Sequence, residues 1–482
     1  MIETGSRMKR QTRYAAGFAA AVVVAAAASA GAARAATAPP VTWCGTDVAT
    51  TDRPDAVSGR QVHVIYAIPS DGVDRFALLG TGISTDLAAG AAWWQRQDFT
   101  RVPRFDLAAF SCFPSLGALD ISSVRLPHDA NYYSAAGGTF GRISDDLVAA
   151  GFSNPNKKYL VYYDTPAPLA AGTCGEGHED ATNGGASGYA EVFIAPNLES
   201  SPVESGCGEI ATPEDRGGYS AIVAVHELLH TFGALDTTSS PGPPHACPGT
   251  PAHACDDPLD IMQPAGQTYW LDETLLDSGH DDYYAHSGTW WDVQDSTWLR
   301  HLNEQTFTLD LTEGEGAAAT TSDLPGVDCR GAAQCVSTWD ANTAVTLSAA
   351  PVAGYARPEW GGACASAGSS PTCDLTLSAN ATVTISFARK LAIASFAVPR
   401  QSGTRIQAKL RLSRVPLAGE ANLVCRATKG LKLISHAIAG TVATCVWSIP
   451  NRLRGRRVSG NVAVATDSGA SIGRAWSLKL RR

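Results

Sequence analysis

The stretch Ala224 to Asp236 reads AVHELLHTFGALD and holds the residues best suited to chemistry. Tyr219 to Phe232 contains no helix breaker, so it is expected to be helical, with Val225, Leu229 and Phe232 forming a buried stripe. His226 and His230 then stack one turn apart on a neighbouring face, where both imidazoles can reach one ion. Neutral imidazole nitrogens suit zinc, and a catalytic zinc uses three protein ligands and a water. Glu227 follows the first histidine and is placed to take a proton from that water and pass it to a leaving amine. Gly233 supplies the left-handed conformation needed to end the helix sharply and bring in a further ligand. Two packed helix histidines without a metal are the bland alternative, and the joint presence of Glu227 and Gly233 argues against it.

The run H-E-L-L-H-T-F-G-A-L-D resembles the metzincin metalloprotease motif, with Asp236 where most members carry a third histidine. An acid at that place is similar to the snapalysin type of small bacterial secreted protease. The resemblance implies a zinc endopeptidase that hydrolyses peptide bonds, with Glu227 as general base and a zinc-bound water as nucleophile. It also implies a methionine turn beneath the metal, and Met262, in LDIMQ, follows the motif. The implied metal set is His226, His230 and Asp236, with His245 or His253 as the alternative third ligand. Spacing favours Asp236, nitrogen donors favour the histidines, and Asp236 can instead hold a histidine ligand from behind. Tyr269, Tyr283 and Tyr284 are unranked candidates for an oxyanion-assisting tyrosine. Tyr189 to Ile194 stands where such proteases place a substrate-receiving edge strand.

These residues need a scaffold to position them, and the surrounding patterns suggest one. Gln61 to Ile68, Lys158 to Tyr163 and Tyr189 to Ile194 read as strands, and Ser84 to Arg96 and Gly141 to Gly151 as helices. Gly172 to Gly218 reads as a long glycine-rich, acidic loop pinned by Cys174 and Cys207. Past Glu313 the helical pattern gives way to short alternating runs with glycine and proline punctuation. From Gly326 to Ala388 the spacing of VDCRGAAQC, TAVTLSAAPVAGY, WGGAC and CDLTL resembles the internalin B-repeat type of extracellular bacterial module. Leu391 to Arg482 alternates again, and Cys425 with Cys445 can staple a small sandwich. The expected organisation is a signal peptide at 1–35, an α+β metzincin-like catalytic domain with a mixed sheet and helices at 36–312, and all-β modules at 313–389 and 390–482.

At 482 residues the chain exceeds one ordinary core. Its net charge of −9, with basic residues gathered only near the end, excludes nucleic acid as a main partner. Lys9, Arg10 and Arg13 precede an alanine and valine run that ends in Ala33-Arg34-Ala35, a signal-peptidase pattern. No later segment is apolar and long enough to span, so the expected mature protein is secreted and has no membrane span. The 12 cysteines contain no C-x-x-C pair, which favours disulfides between sequence neighbours. Glu176, Glu179, Asp180, Asp256 and Asp257 are candidates for calcium, against the competing reading of solvated acid. The remaining histidines, His63, His128, His178, His280, His286, His301 and His436, read as surface or packing residues. The expected partner is a protein or peptide substrate, with a cell-wall or matrix polymer for the C-terminal modules. The rival reading is an inactive metzincin-like surface protein that binds through those modules.

Overall fold

The computed structural model describes residues 42–482 apart from 46–48, 54, 136–137, 166–172, 179–184, 195–215, 236–237, 239, 265–269, 303–304, 331–333, 418 and 467–470. The signal segment, Glu179, Asp180, Cys207, Asp236 and Tyr269 therefore lie outside the described residues. The described chain is mostly β-sheet with few helices.

The first body is built on a five-stranded sheet. Its strands are β1 (Gln61–Ile68), β5 (Ile121–Arg125), β6 (Lys157–Asp164), β7 (Gly175–Gly177) and β8 (Tyr189–Ile194), in the order β5-β1-β6-β8-β7. All neighbours are parallel except β7, which runs antiparallel along β8 at the edge. β1, β6 and β8 are buried at every position, as strands covered on both faces must be. On one face Val64, Tyr66, Leu160, Ala190 and Val192 pack with α1 (Phe76–Gln97) and α4 (Tyr219–Thr231). On the other, Ile65, Val161, Tyr163 and Phe193 pack with α2 (Ala130–Ser134) and α3 (Thr139–Ala149). Helices α1 and α4 come close because Gly90 has no side chain, and a Cβ there would lie 3.3 Å from Val225.

Two expectations change. The region from 172 to 218 is not a plain loop, because Gly175–Gly177 forms the edge strand. In consequence Tyr189–Ile194 is not the edge but an interior strand, flanked by β6 and β7. The short G-E-G run lacked the branched residues that mark a strand, since its glycines serve packing instead.

Two further groups of buried hydrophobics follow along the chain. One contains Leu309, Leu311, Trp339, Trp360, Val383 and Ile385, and the other Ile406, Leu410, Trp447, Val462 and Trp476. Each lies between a four-stranded and a three-stranded sheet, so the chain after the first body is all-β. The first of these strands, Thr306–Glu313, begins ahead of residue 313 and pairs with Gln334–Asp340 and Ala381–Arg389. Its buried Leu309 and Leu311 belong to the later core, and the 312/313 division would cut through it. Five disulfides, Cys44–Cys112, Cys247–Cys255, Cys329–Cys335, Cys364–Cys373 and Cys425–Cys445, join sequence neighbours. Among the described residues no helix is long and apolar enough to cross a membrane.

The start of the sheet is held by a buried ion network. Lys157 Nζ donates to Asp52 at 2.7 Å, Asp55 at 2.6 Å and Asp106 at 2.6 Å. His63 Nδ1 lies 2.8 Å from the same Asp106 carboxylate. Burial alone would raise Asp106, but the Lys157 ammonium and His63 pull it down to about 2. His63 is thus part of this network, in a group with Asp52, Asp106 and Asp120 that Lys157 enters. Lys157→Met leaves these carboxylates without their common partner, and urea unfolding should show a loss of about 3–5 kcal/mol.

Candidate metal centre

Helix α4 presents the two motif histidines because its ends are fixed. Leu271 N–H donates to Gly217 O at 3.0 Å just before the helix begins. At the other end Gly233 adopts φ 88°, and Ala234 N–H reaches back to Leu229 O at 3.0 Å. This is the left-handed ending that glycine permits without strain. Ile222, Val225, Leu229 and Phe232 are buried in the first core, which fixes the helix rotation and turns His226 and His230 toward one point.

The other arm is a small hairpin in the proline-rich segment. Strands β9 (Ala246–Cys247) and β10 (Thr250–Ala254) are closed by the Cys247–Cys255 disulfide, and His253 sits on β10. Ala254 N–H donates to Met262 O at 3.1 Å, while Ile261 O accepts a 2.6 Å hydrogen bond from His226 Nδ1. Adjacent carbonyls of the Ile261-Met262 turn therefore hold the hairpin and the first histidine together. Met262 itself is fully buried, and its N–H donates to Asp260 Oδ1 at 2.7 Å.

This arrangement brings His226, His230 and His253 together, with one donor atom from each within 4.8 Å of the others. The ring centroids are separated by 4.9, 5.2 and 5.0 Å. Because His226 Nδ1 gives its proton to Ile261 O, its Nε2 offers a lone pair, and that atom lies 3.2 Å from His230 Nε2. Burial, with the His253 charge behind it, pushes His226 down to about 4. Burial, then His226 and His253, holds His230 well below its ordinary value. Three imidazoles converging on one point form a nitrogen donor set that fits zinc.

Glu227, His226 and His253 border a cleft of about 240 Å³, lined also by Thr173, Cys174, Gly175, Tyr219, Ile222, Val223, Pro258, Asp260, Ile261, Gln263, Pro264 and Thr274, with His230 behind them. No hydrogen bond occupies the Glu227 carboxylate among the described residues. Burial, then the neighbouring Glu176 charge, pushes Glu227 up to about 8. The edge strand lies against this part of α4. A Cβ at Gly177 would sit 2.6 Å from Glu227 O and 2.8 Å from His230 Cβ, and one at Gly175 would sit 2.7 Å from Glu227 Cγ. Alternating glycines on β7 therefore set the distance between strand and site, a signal present in T-C-G-E-G-H but carrying no chemical group.

The other candidates lie elsewhere. His245 stands apart from the three histidines, with its Nδ1 3.2 Å from Asp282, in a group with Asp256 and Asp281. The described members of the calcium set are not gathered, since Asp256 joins His245 while Asp257 accepts from Ser278 Oγ at 2.8 Å and Glu176 lies on β7. Tyr283 and Tyr284 are buried, and their hydroxyls donate to Asp260 at 2.9 Å and Asp98 at 2.8 Å. Tyr219, on the first turn of α4, is the described tyrosine that lines the cleft.

No family model and no curated protein sequence matches the chain. Among solved structures it is similar to OgpA from Akkermansia muciniphila, at 12% identity and a TM-score of 0.27, covering 91% of this chain and 98% of that one. A catalytic inactive form of OgpA in complex with an O-glycopeptide (glycodrosocin) substrate gives 12% identity and a TM-score of 0.26, over 91% of this chain and 97% of that one. BcpA, the major pilin subunit of Bacillus cereus, gives 8% identity and a TM-score of 0.18, over 36% of this chain and 69% of that one. Likenesses of this size say nothing further about this chain.

Two substitutions test the geometry. His253→Ala should weaken zinc retention by about 100-fold or more in a chelator competition, whereas His245→Ala should leave it nearly unchanged. Gly177→Ala must displace backbone and should cost about 1–3 kcal/mol in thermal unfolding, with weaker zinc retention from the displaced His230.

Proposed function

We propose that the chain is a secreted zinc-dependent endopeptidase of metzincin type. The convergence of His226, His230 and His253 beside the unengaged carboxylate of Glu227 carries this reading. The motif resemblance adds the reaction class, and the five disulfides accord with an oxidising compartment. His226, His230 and His253 are the proposed ligands, so the third donor comes from the hairpin beyond the helix, ahead of Asp236 and His245 as choices. The proposed catalytic domain is the first body with its mixed sheet and helices, and the later β modules serve attachment or spacing.

Bound to these imidazoles, zinc would lower the pKa of a water, polarise the scissile carbonyl and draw Glu227 toward its ionised form. Every other task falls to the chain. Glu227 accepts the proton of the attacking water and delivers it to the departing amine, a transfer its place between α4 and β7 allows. An extended peptide is proposed to add along the outer edge of β7, which ends the sheet among the described residues. The Ile261 carbonyl keeps His226 in one tautomer, and Met262 fills the space below the turn. The apolar wall of Tyr219, Ile222, Val223 and Pro264 excludes water from one side of the cleft.

Incubation of the zinc-loaded protein with unfolded protein substrates, beside a Glu227→Ala variant, tests the proposal. The parent should cleave, and the variant should lose about 10²–10⁴-fold in rate while retaining its zinc. Equal cleavage by both would remove Glu227 from the mechanism. Cleavage by neither, with zinc bound, would move the function to binding through the C-terminal modules.

A further inference from the structure

Charge is divided unevenly along the chain. Residues 390–482 carry 17 Lys and Arg against two acids, Glu420 and Asp467, which leaves 20 basic residues against 44 acids before them. A chain of net charge −9 therefore ends in a module of net charge +15. Glu420 is buried and paired with Arg414. The other Lys and Arg side chains of the module are exposed, and they form no ion pair among the described residues.

One sheet gathers five of these cations on a single face. Its strands are Ile393–Ser402, Arg405–Leu412, Val442–Ser448 and Lys432–Ala439, in that order. Arg405–Leu412 alternates strictly. Ile406, Ala408, Leu410 and Leu412 enter the core, which sends Arg405, Gln407, Lys409 and Arg411 outward. Pairing places Arg400 beside Gln407, and Lys432 beside Ser448, itself the partner of Arg405, so both lie on this outer face. Strand geometry sets Lys409 and Arg411 about 7 Å apart along the strand, and Lys432 about 10 Å from Arg405 across it. None of the four strands contains an acid. The cations thus repel one another with no counter-charge of the chain's own on the sheet, and an anion laid across them relieves that repulsion.

The rest of the face selects the kind of anion. Ser402, Gln407, Thr444 and Ser448 stand among the cations, while Phe396 and Trp447 of the same sheet pack toward the core. Aromatic anchors of the kind that carry protein interfaces or stack unpaired bases are therefore turned away from it. A flat sheet also presents no ridge that could enter a duplex groove. Hydroxyl and amide groups spaced among guanidinium and ammonium groups suit a polymer that itself carries acidic groups among hydroxyls.

We propose that this face is a docking surface for an extended acidic polysaccharide, with Arg400, Arg405, Lys409, Arg411 and Lys432 receiving its acidic groups. The face shares no residue with the metal cleft, so its binding stands or falls apart from the endopeptidase reading. The acidic remainder of the chain repels the same polymer, which confines attachment to this module.

Calorimetric titration of the full chain tests the assignment. The probes are a heparin oligosaccharide, dextran as a neutral polymer, a DNA duplex, and phosphatidylcholine vesicles containing phosphatidylglycerol. The heparin oligosaccharide should bind with an affinity that falls steeply with added salt, and dextran should not bind. The triple variant Arg405→Gln, Lys409→Gln, Arg411→Gln should weaken binding about tenfold or more. Arg426→Gln, Arg457→Gln, Lys479→Gln removes the same charge from the opposite sheet and should weaken it less than about threefold. Both variants should keep the parent melting temperature, since all six side chains are exposed. The proposal is overturned if heparin fails to bind, if dextran binds as tightly, or if DNA or the vesicles bind more tightly. Equal losses in the two variants would also overturn it, because net charge and not this face would then be the cause. So would self-association of the free chain in sedimentation velocity that the first variant abolishes, which would assign the face to the acidic body of a second copy.

Discussion

The hydrogen bond from His226 Nδ1 to Ile261 O joins the two arms of the candidate metal centre. One arm is a helix locked into the core by its apolar face, and the other is a hairpin with almost no core of its own. The next carbonyl, Met262 O, accepts from Ala254 beside His253, so a single turn sets both the orientation of the first imidazole and the approach of the third. The Cys247–Cys255 bridge limits how far the hairpin can open. With neither bond, His253 would sit on an exposed proline-rich segment, and ordering it would carry the full entropic cost of a free loop.

The same economy applies on the opposite side of α4. Strand β7 has three residues, and two of them are glycines that would collide with Glu227 and His230 if they carried side chains. Edge strands are commonly protected by charge or by shortness. Here the edge is short, its one side chain, Glu176, is acidic, and its backbone lies against the proposed general base. Fold and site are coupled at this point because the strand that ends the sheet also borders the cleft.

The β modules extend the chain without contributing to the metal cleft. Their cores are separate and stapled by short-range disulfides, which constrain the unfolded chain even when the enclosed segments are small. The first of them is nonetheless tied to the first body through Arg104 and Asp340, so its placement is specified by contacts. Arg60 and Arg104, far apart in sequence, both line that junction.

Sequence alone determined the local features. The helix carrying His226, Glu227 and His230, the glycine turn at 233, and the strands at 61–68 and 189–194 all follow from periodicity, breakers and spacing. Each concerns residues whose partners lie nearby, where a short window holds the relevant physics. What the tertiary structure decided was long-range. It brought His253 rather than His245 to the helix histidines, made a G-E-G run the sheet edge, and moved Thr306–Glu313 into the later core. In each case the deciding partner lies in another element, and its position depends on how whole elements pack. A linear reading of side-chain chemistry contains no term for that.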